Sequence, residues 1–423
     1  MDREENRITE EQSIQQSENK PVISVNYRDS NLASKESEEE ASSGDDLQDN
    51  DMFCRSTEED DSGEETDEQN SESDDSVEDP DEDEPGANTH FIAEKWKRLS
   101  TGRKVGCISC STVLILLVAL VTTVTAVFLH YYHLMQIEYS TDIVIDENVT
   151  FSDSELSEIP DGEVNLESTD IFMDKSVLNI LLIGTDERSE DFSTNARADS
   201  MMILSLDNNT QTIRLVSLER GMLVSIPGMK NDILTHTFRY GGSNLLMETV
   251  RTHLNVDVEK YVRVNLSMFT KLIDEVGGVD IELTEKEAKG LNKYPNGNTW
   301  KLERKVHKGI NHFNGYEALQ YSRLRWIDSD FERIKRQRKV IAAVKENMKD
   351  LSVNDLKDVS ADCLPYIQTN LSALEIAGIL LNLPGYIDKD MEQMTIPQKG
   401  TYKTLGHVDY KMNSELLNQF LYR

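Results

Sequence analysis

The run Val177–Gly184, VLNILLIG, decides how the rest of the chain is read. It is a continuous apolar stretch closed by glycine, the pattern of a strand buried on both faces that runs into a loop. Two further runs follow, SMMILSL (200–206) and TIRLVSLE (212–219). The polar DNNTQ between them, with Asn208 and Asn209, predicts a hairpin. Further out, SNLLMETVRTHL (243–254) has helical spacing behind Gly241-Gly242, with Ser243 as its cap. YVRVNL (261–266) and VDIEL (279–283) read as strands on either side of the helical SMFTKLIDEV, which Gly277-Gly278 closes. The chain from Tyr316, and then Phe331 to Asp350, reads as helix. Strands alternating with helices predict the α/β class, a mixed β-sheet sandwiched by helices. Residues 171–350 carry this pattern, and 351–423 read as a C-terminal extension of the same domain with weaker helices.

The N-terminal side is different in kind. The 423 residues carry a formal charge of −34, and residues 1–90 alone hold 32 Asp and Glu against 6 Lys and Arg. So acidic a stretch, with almost no aliphatic runs, cannot bury enough apolar area to offset the entropy of ordering, which predicts a disordered tail over 1–94. A basic segment follows over 95–104, with Lys95, Lys97, Arg98, Arg103 and Lys104. Val105–Leu129 then contains no charge, and its length suffices for a helix across a bilayer core of about 30 Å. The basic flank on its N-terminal side predicts a cytoplasmic tail and an extracellular remainder in a single-pass cell-membrane protein. Residues 130–170 are polar and acidic and read as an extracellular spacer. The acidity argues against nucleic acid as a partner, because binding there draws on clustered Lys and Arg. Only Cys363 of the four cysteines lies in the globular part, so no disulfide framework is expected.

Four segments place charge just beyond apolar strands, where open α/β sheets hold ligands. They are GTDER with Asp186 and Arg188, ARADS with Arg197 and Asp199, SLERGM with Glu219 and Arg220, and QYSRLRWIDSDFERIKRQR. The last carries Arg323, Arg325, Asp328, Asp330, Arg333, Arg336, Gln337 and Arg338. Guanidinium forks fit phosphate oxygens two at a time. Single aspartates beside them suit Mg²⁺, which takes few carboxylates and completes its shell with water and phosphate. Several arginines with two aspartates therefore point to a pyrophosphate–Mg²⁺ ligand, with Mn²⁺ as an acceptable substitute.

NILLIGTDER, ARADSMMILSL, VSLERGMLVSIPG, HTFRYGG, LIDEVGGVDIEL, HFNGYEALQYSRLR and DSDFERIKRQR occur in this order over roughly 177–345. In sequence and spacing these blocks resemble the LytR-CpsA-Psr family of cell-wall ligases, which also share the single preceding membrane helix. The resemblance implies an extracellular enzyme moving a glycopolymer, teichoic acid or capsule among them, from undecaprenyl pyrophosphate onto a peptidoglycan acceptor. It also implies that Asp186 and Asp199 bind Mg²⁺, that Arg197, Arg220, Arg323, Arg325 and Gln337 bind pyrophosphate, and that Arg188 and Arg333 adjoin them. Asp330 matches the acidic position that would accept the proton of the attacking hydroxyl, with Arg220 as its catalytic neighbour. Two departures stand out. The family's Pro-Arg-Asp appears as Glu219-Arg220-Gly221, and its Lys-Ile-Asn-His-Ala-Tyr as Ile233-Leu234-Thr235-His236-Thr237-Phe238. If the strand continued, Glu219 would point to the face opposite Arg220. The missing acid keeps open a second reading, a scaffold that binds lipid-linked cell-wall precursors without turnover.

Overall fold

In a computed structural model of the chain, residues 101–166, 171–187, 192, 196–293 and 302–423 are described. The tail and the start of the basic segment lie outside them. Helix α1 is Thr101–Tyr132. Its stretch Thr112–Tyr132, 21 residues with mean hydropathy 2.7, is long and apolar enough to cross a membrane. From Val124 onward the chain forms one unit.

That unit is built on a seven-stranded mixed sheet, in the order β1-β10-β7-β2-β3-β4-β11. The strands are β1 Gln136–Ile137, β2 Val177–Thr185, β3 Ala198–Asp207, β4 Thr212–Leu218, β7 Lys260–Val264, β10 Ile367–Thr369 and β11 Met391–Ile396. β2, β3 and β4 form an antiparallel meander, while β7 lies parallel to β2 and β11 parallel to β4. β5 (Leu223–Ser225) pairs with β6 (Asn231–Ile233), and β8 (Val279–Leu283) with β9 (Gly309–Phe313), as separate ribbons. The helices after α1 are the short α2 (Asp153–Leu156), α3 (Leu234–Leu254), α4 (Leu266–Glu275), α5 (Glu285–Asn292) and α6 (Gly315–Ser322). They continue with α7 (Asp330–Met348), α8 (Val353–Cys363), α9 (Ala373–Ile387) and α10 (Tyr410–Leu421).

Alternation along β2 divides its side chains between two layers. Leu181 and Ile183 join the main core with Leu245, Leu246 and Val250 of α3 and Leu417 and Leu421 of α10. Ile180, with Leu178 and Leu182, packs with Ile376, Ile379 and Tyr386 of α9 on the other face. Burial on both faces is why this strand reads as a continuous apolar run. Helix α3 joins two helical segments: one from Leu234 that the sequence did not predict, and one that resumes at Ser243, as expected, after Gly241 and Gly242 leave helical geometry. Gly242 has φ +65, a conformation open to glycine at little cost.

Two sequence expectations are corrected. Residues 130–170 are not a free spacer over their described length. β1 pairs with β10, Ile145 is buried in the main core, and Ile143, Val149, Phe151 and Val164 pack against it. The C-terminal stretch adds strands where only weaker helices were expected: β10 and β11 complete the sheet, and Tyr410, Leu417 and Leu421 belong to its core.

Candidate functional site

The antiparallel meander explains how distant segments meet. The end of β2, the start of β3 and the end of β4 fall on the same edge of the sheet. That edge carries Asp186, Arg197–Asp199 and Glu219-Arg220. Arg197 N–H donates to Asp186 Oδ1 at 2.9 Å, and Asp186 N–H donates back to the Arg197 carbonyl at 3.2 Å. These two bonds hold the first two segments together.

Helix α7 delivers the third component. Asp330, Arg333 and Gln337 are spaced three and four apart, so they share one face of the helix. Arg220 donates through Nη1 to Asp199 Oδ1 at 2.8 Å and through Nε to Asp330 Oδ2 at 3.3 Å. Arg333 lies 3.4 Å from Asp330 Oδ1 and donates to the Asp199 carbonyl at 3.3 Å. Ser200 Oγ donates to Gln337 Oε1 at 3.4 Å. Burial alone would raise the Asp199 pKa, but the guanidiniums of Arg220, Arg333, Arg197 and Arg323 outweigh it and hold the carboxyl below its usual range. Four arginines, from just before β3, just after β4, the C-cap of α6 and the first turn of α7, thus act on one carboxylate. Burial likewise works against the charge on Arg220, yet Asp199, Asp330 and Glu158 raise its pKa.

Glu219 departs from expectation. β4 ends at Leu218, so strand alternation no longer governs the next residue, and Glu219 lies within the field of Asp330, Arg333 and Arg220. It is fully buried. Burial first, then the neighbouring Asp330, push its carboxyl up to about 7 against the pull of the arginines. Its Oε1 lies 3.8 Å from where a Cβ on Gly221 would stand, so a carboxyl is present beside the position that lacks the acid.

The segment around α2 also reaches this cluster, through two residues the sequence did not single out. Glu158 Oε2 accepts from Arg197 Nη2 at 2.9 Å and lies 3.6 Å from Arg220 Nη2. Glu155 Oε1 is 3.5 Å from Arg197 and 2.9 Å from Arg239. Desolvation would raise the Glu155 pKa, but hydrogen bonds from Ser152 and the charges of Arg239 and Arg197 bring it down to about 2. No motif marks either glutamate, because they come from a stretch with no apolar period.

Not every arginine of the fourth segment belongs to the cluster. Arg336 forms a bidentate pair with Asp328, at 2.9 and 2.7 Å, and donates to the Leu324 carbonyl, clamping the α6–α7 loop. Arg338 donates to the Met394 carbonyl at 2.7 Å and Thr395 Oγ1 at 2.6 Å, tying α7 to β11. Arg325 is exposed and enters none of the ion pairs among the described residues. Arg188 lies outside the described residues. His236 is buried, 2.8 Å from Asp232 Oδ1, and its ring lies 4.2 Å from that of Phe151, a structural placement. Trp326 is 40% exposed near the loop between α6 and α7.

Beside the charged edge opens a cavity of about 290 Å³. Its walls are Leu182, Met202, Val262 and Val264 of the sheet, Met268, Phe269 and Leu272 of α4, and Val340, Ile341 and Val344 of α7. Its polar lining includes Asp186, Asp199, Arg323 and Gln337. Asn265 caps α4 by accepting from Met268 N–H at 2.8 Å, which fixes the start of one wall. Residues of 266–276 line this cavity, whereas those of 243–254 are spent on the main core. The arrangement offers cationic groups for an anion at one end and an apolar sleeve beside it.

The model of the LytR_cpsA_psr family matches residues 141–423. A polyisoprenyl-teichoic acid–peptidoglycan teichoic acid transferase TagU of Bacillus cereus is 31% identical over 227 residues, which are 53% of this chain and 70% of that protein. TagT of Bacillus subtilis (strain 168), named for the same transfer, is 29% identical over 248 residues, 58% of this chain and 75% of its own. The crystal structure of B. subtilis TagT aligns with 58% of this chain and 91% of that one, at 25% identity and a TM-score of 0.46.

Proposed function

This chain belongs to the LytR_cpsA_psr family, and on that premise we propose that it transfers a glycopolymer from an undecaprenyl-pyrophosphate carrier to peptidoglycan. The observation that carries the reading is the convergence of Arg197, Arg220, Arg323 and Arg333 on Asp199 at the polar lining of an apolar cavity. A prenyl diphosphate has the same two-part chemistry, a dianionic or trianionic head and an apolar chain. The names of the related TagU and TagT proteins support the same substrate class.

In the proposed reaction a sugar hydroxyl of the acceptor attacks the phosphorus that bears the glycopolymer. The new O–P bond forms as the bond to the bridging oxygen breaks, and undecaprenyl phosphate leaves. The hydroxyl proton passes to the Asp330 carboxylate, a transfer of the kind worth about 10²- to 10⁴-fold. Arg220 spans Asp199 and Asp330, so it can hold the phosphoryl oxygens and the base in register. The arginines offset the negative charge that would repel the nucleophile.

Asp186 and Asp199 both line the cavity, and no group of three or more His, Cys, Asp or Glu suited to a metal occurs among the described residues. Two carboxylates with open space for water and phosphate oxygens fit Mg²⁺ better than an ion needing a full protein cage. When bound, Mg²⁺ supplies charge neutralisation at the diphosphate. Helix α1, the one helix among the described residues long and apolar enough to cross a membrane, supports anchoring in the cell membrane, with the catalytic unit on the extracellular side and the acidic tail in the cytoplasm.

The test is transfer by the full-length chain of a prenyl-pyrophosphate-linked sugar to a peptidoglycan fragment with Mg²⁺, beside Arg220→Ala and Asp199→Ala. Product from the parent chain, lost in both variants, is expected. Tight lipid binding without any product would replace the transferase with the scaffold.

A further inference from the structure

We propose that the exposed leucine face of α9 rests in the headgroup–acyl boundary of the bilayer that α1 enters, so that the domain is docked on the membrane rather than suspended from it. This rests on α1 spanning a membrane and is independent of the chemistry above.

Helix α9, ALEIAGILLNLPGYI, is apolar on both sides. Its inner side, Ile376, Ile379 and Tyr386, packs on the sheet. Its outer side leaves Leu374 85% and Leu381 82% exposed, with Leu380, 51% exposed, on its flank. Leu374 and Leu381 are seven residues apart, two helical turns, and so lie on one side. Single exposed leucines are ordinary, but two that are more than four-fifths exposed on one side of a short helix, with a third on its flank, are of the kind that marks an interaction surface.

What covers the patch follows from where it begins. Tyr132, the last residue of α1, donates its hydroxyl to the Leu371 carbonyl at 3.3 Å. Four residues later, Gln136 and Ile137 pair in parallel with Gln368 and Thr369 of β10. β10 then leads through Leu371 and Ser372 directly into α9. The apolar stretch of α1 runs to Leu129, so Tyr132 stands only about 5 Å of helix rise beyond it. The first turn of α9 is therefore fixed within reach of the interface, where amphipathic helices bury an apolar side by about 5–10 Å. Two further features share that location. Val353 (83% exposed) and Leu356 (39%) of α8 border a groove with Ala126, Val127 and Tyr131 of α1. Tyr139, 78% exposed just after β1, is a residue type enriched at membrane interfaces.

The full-length chain, reconstituted in phosphatidylcholine vesicles containing a lipid with a diazirine in its acyl chain, is irradiated, digested and mapped by mass spectrometry. Adducts are expected on the peptide bearing Leu374 and Leu381 as well as on α1. Leu374→Asp/Leu381→Asp, at positions facing away from the core, is expected to lose the α9 adducts and keep those on α1, with an unchanged circular dichroism spectrum. Labelled α1 with unlabelled 373–387 in the parent chain would overturn the proposal. Cross-links joining α9 of one chain to a second copy would overturn it too, by assigning the face to self-association.

Discussion

Arg220 lies against three carboxylates, with Asp199, Asp330 and Glu158 at 2.8, 3.3 and 3.6 Å. Its removal would leave partly buried carboxylates facing one another and the diphosphate without its central clamp. Arg220→Ala is expected to lower kcat for transfer by at least about 10²-fold, the usual scale for one lost charge-stabilising donor, read in the assay above. Glu219 gives a prediction about pH. Its folded pKa, about 7, stands above the ordinary 4.5. The fold therefore favours the neutral carboxyl, and that contribution is complete below the unfolded pKa and is lost as pH rises toward the folded one. Stability should fall by up to about 3 kcal/mol across that window, and Glu219→Gln should flatten this part of the curve in denaturant unfolding. The arginines and aspartates were legible because charge just beyond apolar strands is unusual. The placement of Glu219 was not legible, because the alternation rule holds only while the strand lasts, and β4 stops one residue before it. Arg336 and Arg338 show the opposite error available to a sequence reader: placed in the same block, they serve the scaffold.

At the scale of elements, α7 turns one sequence block into three functions by helical rotation. Asp330, Arg333 and Gln337 face the charged edge, Arg336 clamps the preceding loop, and Val340, Ile341 and Val344 continue as a cavity wall. The segment around α2 acts as an acidic strap on the arginines proposed to hold phosphate. Glu158 competes for Arg197 and Arg220 through a partly exposed pair worth about 1 kcal/mol or less. Glu158→Gln is accordingly expected to tighten prenyl pyrophosphate binding by up to about fivefold, measured by titration calorimetry. The strap is pinned where two glycines cross: a Cβ on Gly406 would lie 2.1 Å from the Asp161 carbonyl oxygen. Gly406→Ala should therefore lift the strap and lower the thermal unfolding temperature, with a cost of about 1–3 kcal/mol. Long, periodic elements such as β2, β8, α4 and α7 were readable within a few residues. β10, three residues long, and the half-buried β11 were not, since each owes its strand geometry to a partner far away in sequence.

The whole molecule depends on closure between distant parts of the chain. The C-terminal strand β11 pairs along its full length with β4, and α10 packs with α3. A chain ending at residue 350 would expose that edge and part of the main core. It is expected to lack cooperative unfolding by calorimetry, while the full-length chain shows it. The division into acidic tail, apolar helix and α/β unit was visible in composition alone, because those parts differ in kind. The cavity was only half visible. Apolar residues that line a channel and those that fill a core look alike in sequence, and the packing of α3 against the sheet decided between them.

The central claim is that guanidiniums from the ends of four elements bind one diphosphate beside an apolar sleeve. It is tested most directly by the affinity of the full-length chain for a short prenyl pyrophosphate and for the matching prenyl monophosphate. Both are measured for the parent chain, for Arg197→Ala, Arg220→Ala, Arg323→Ala and Arg333→Ala separately, and for the exposed Lys286→Ala. Preference for the diphosphate in the parent and in Lys286→Ala, reduced in each of the four arginine variants, is the predicted result. Equal affinity for the two lipids, unchanged by any of the four substitutions, would contradict it.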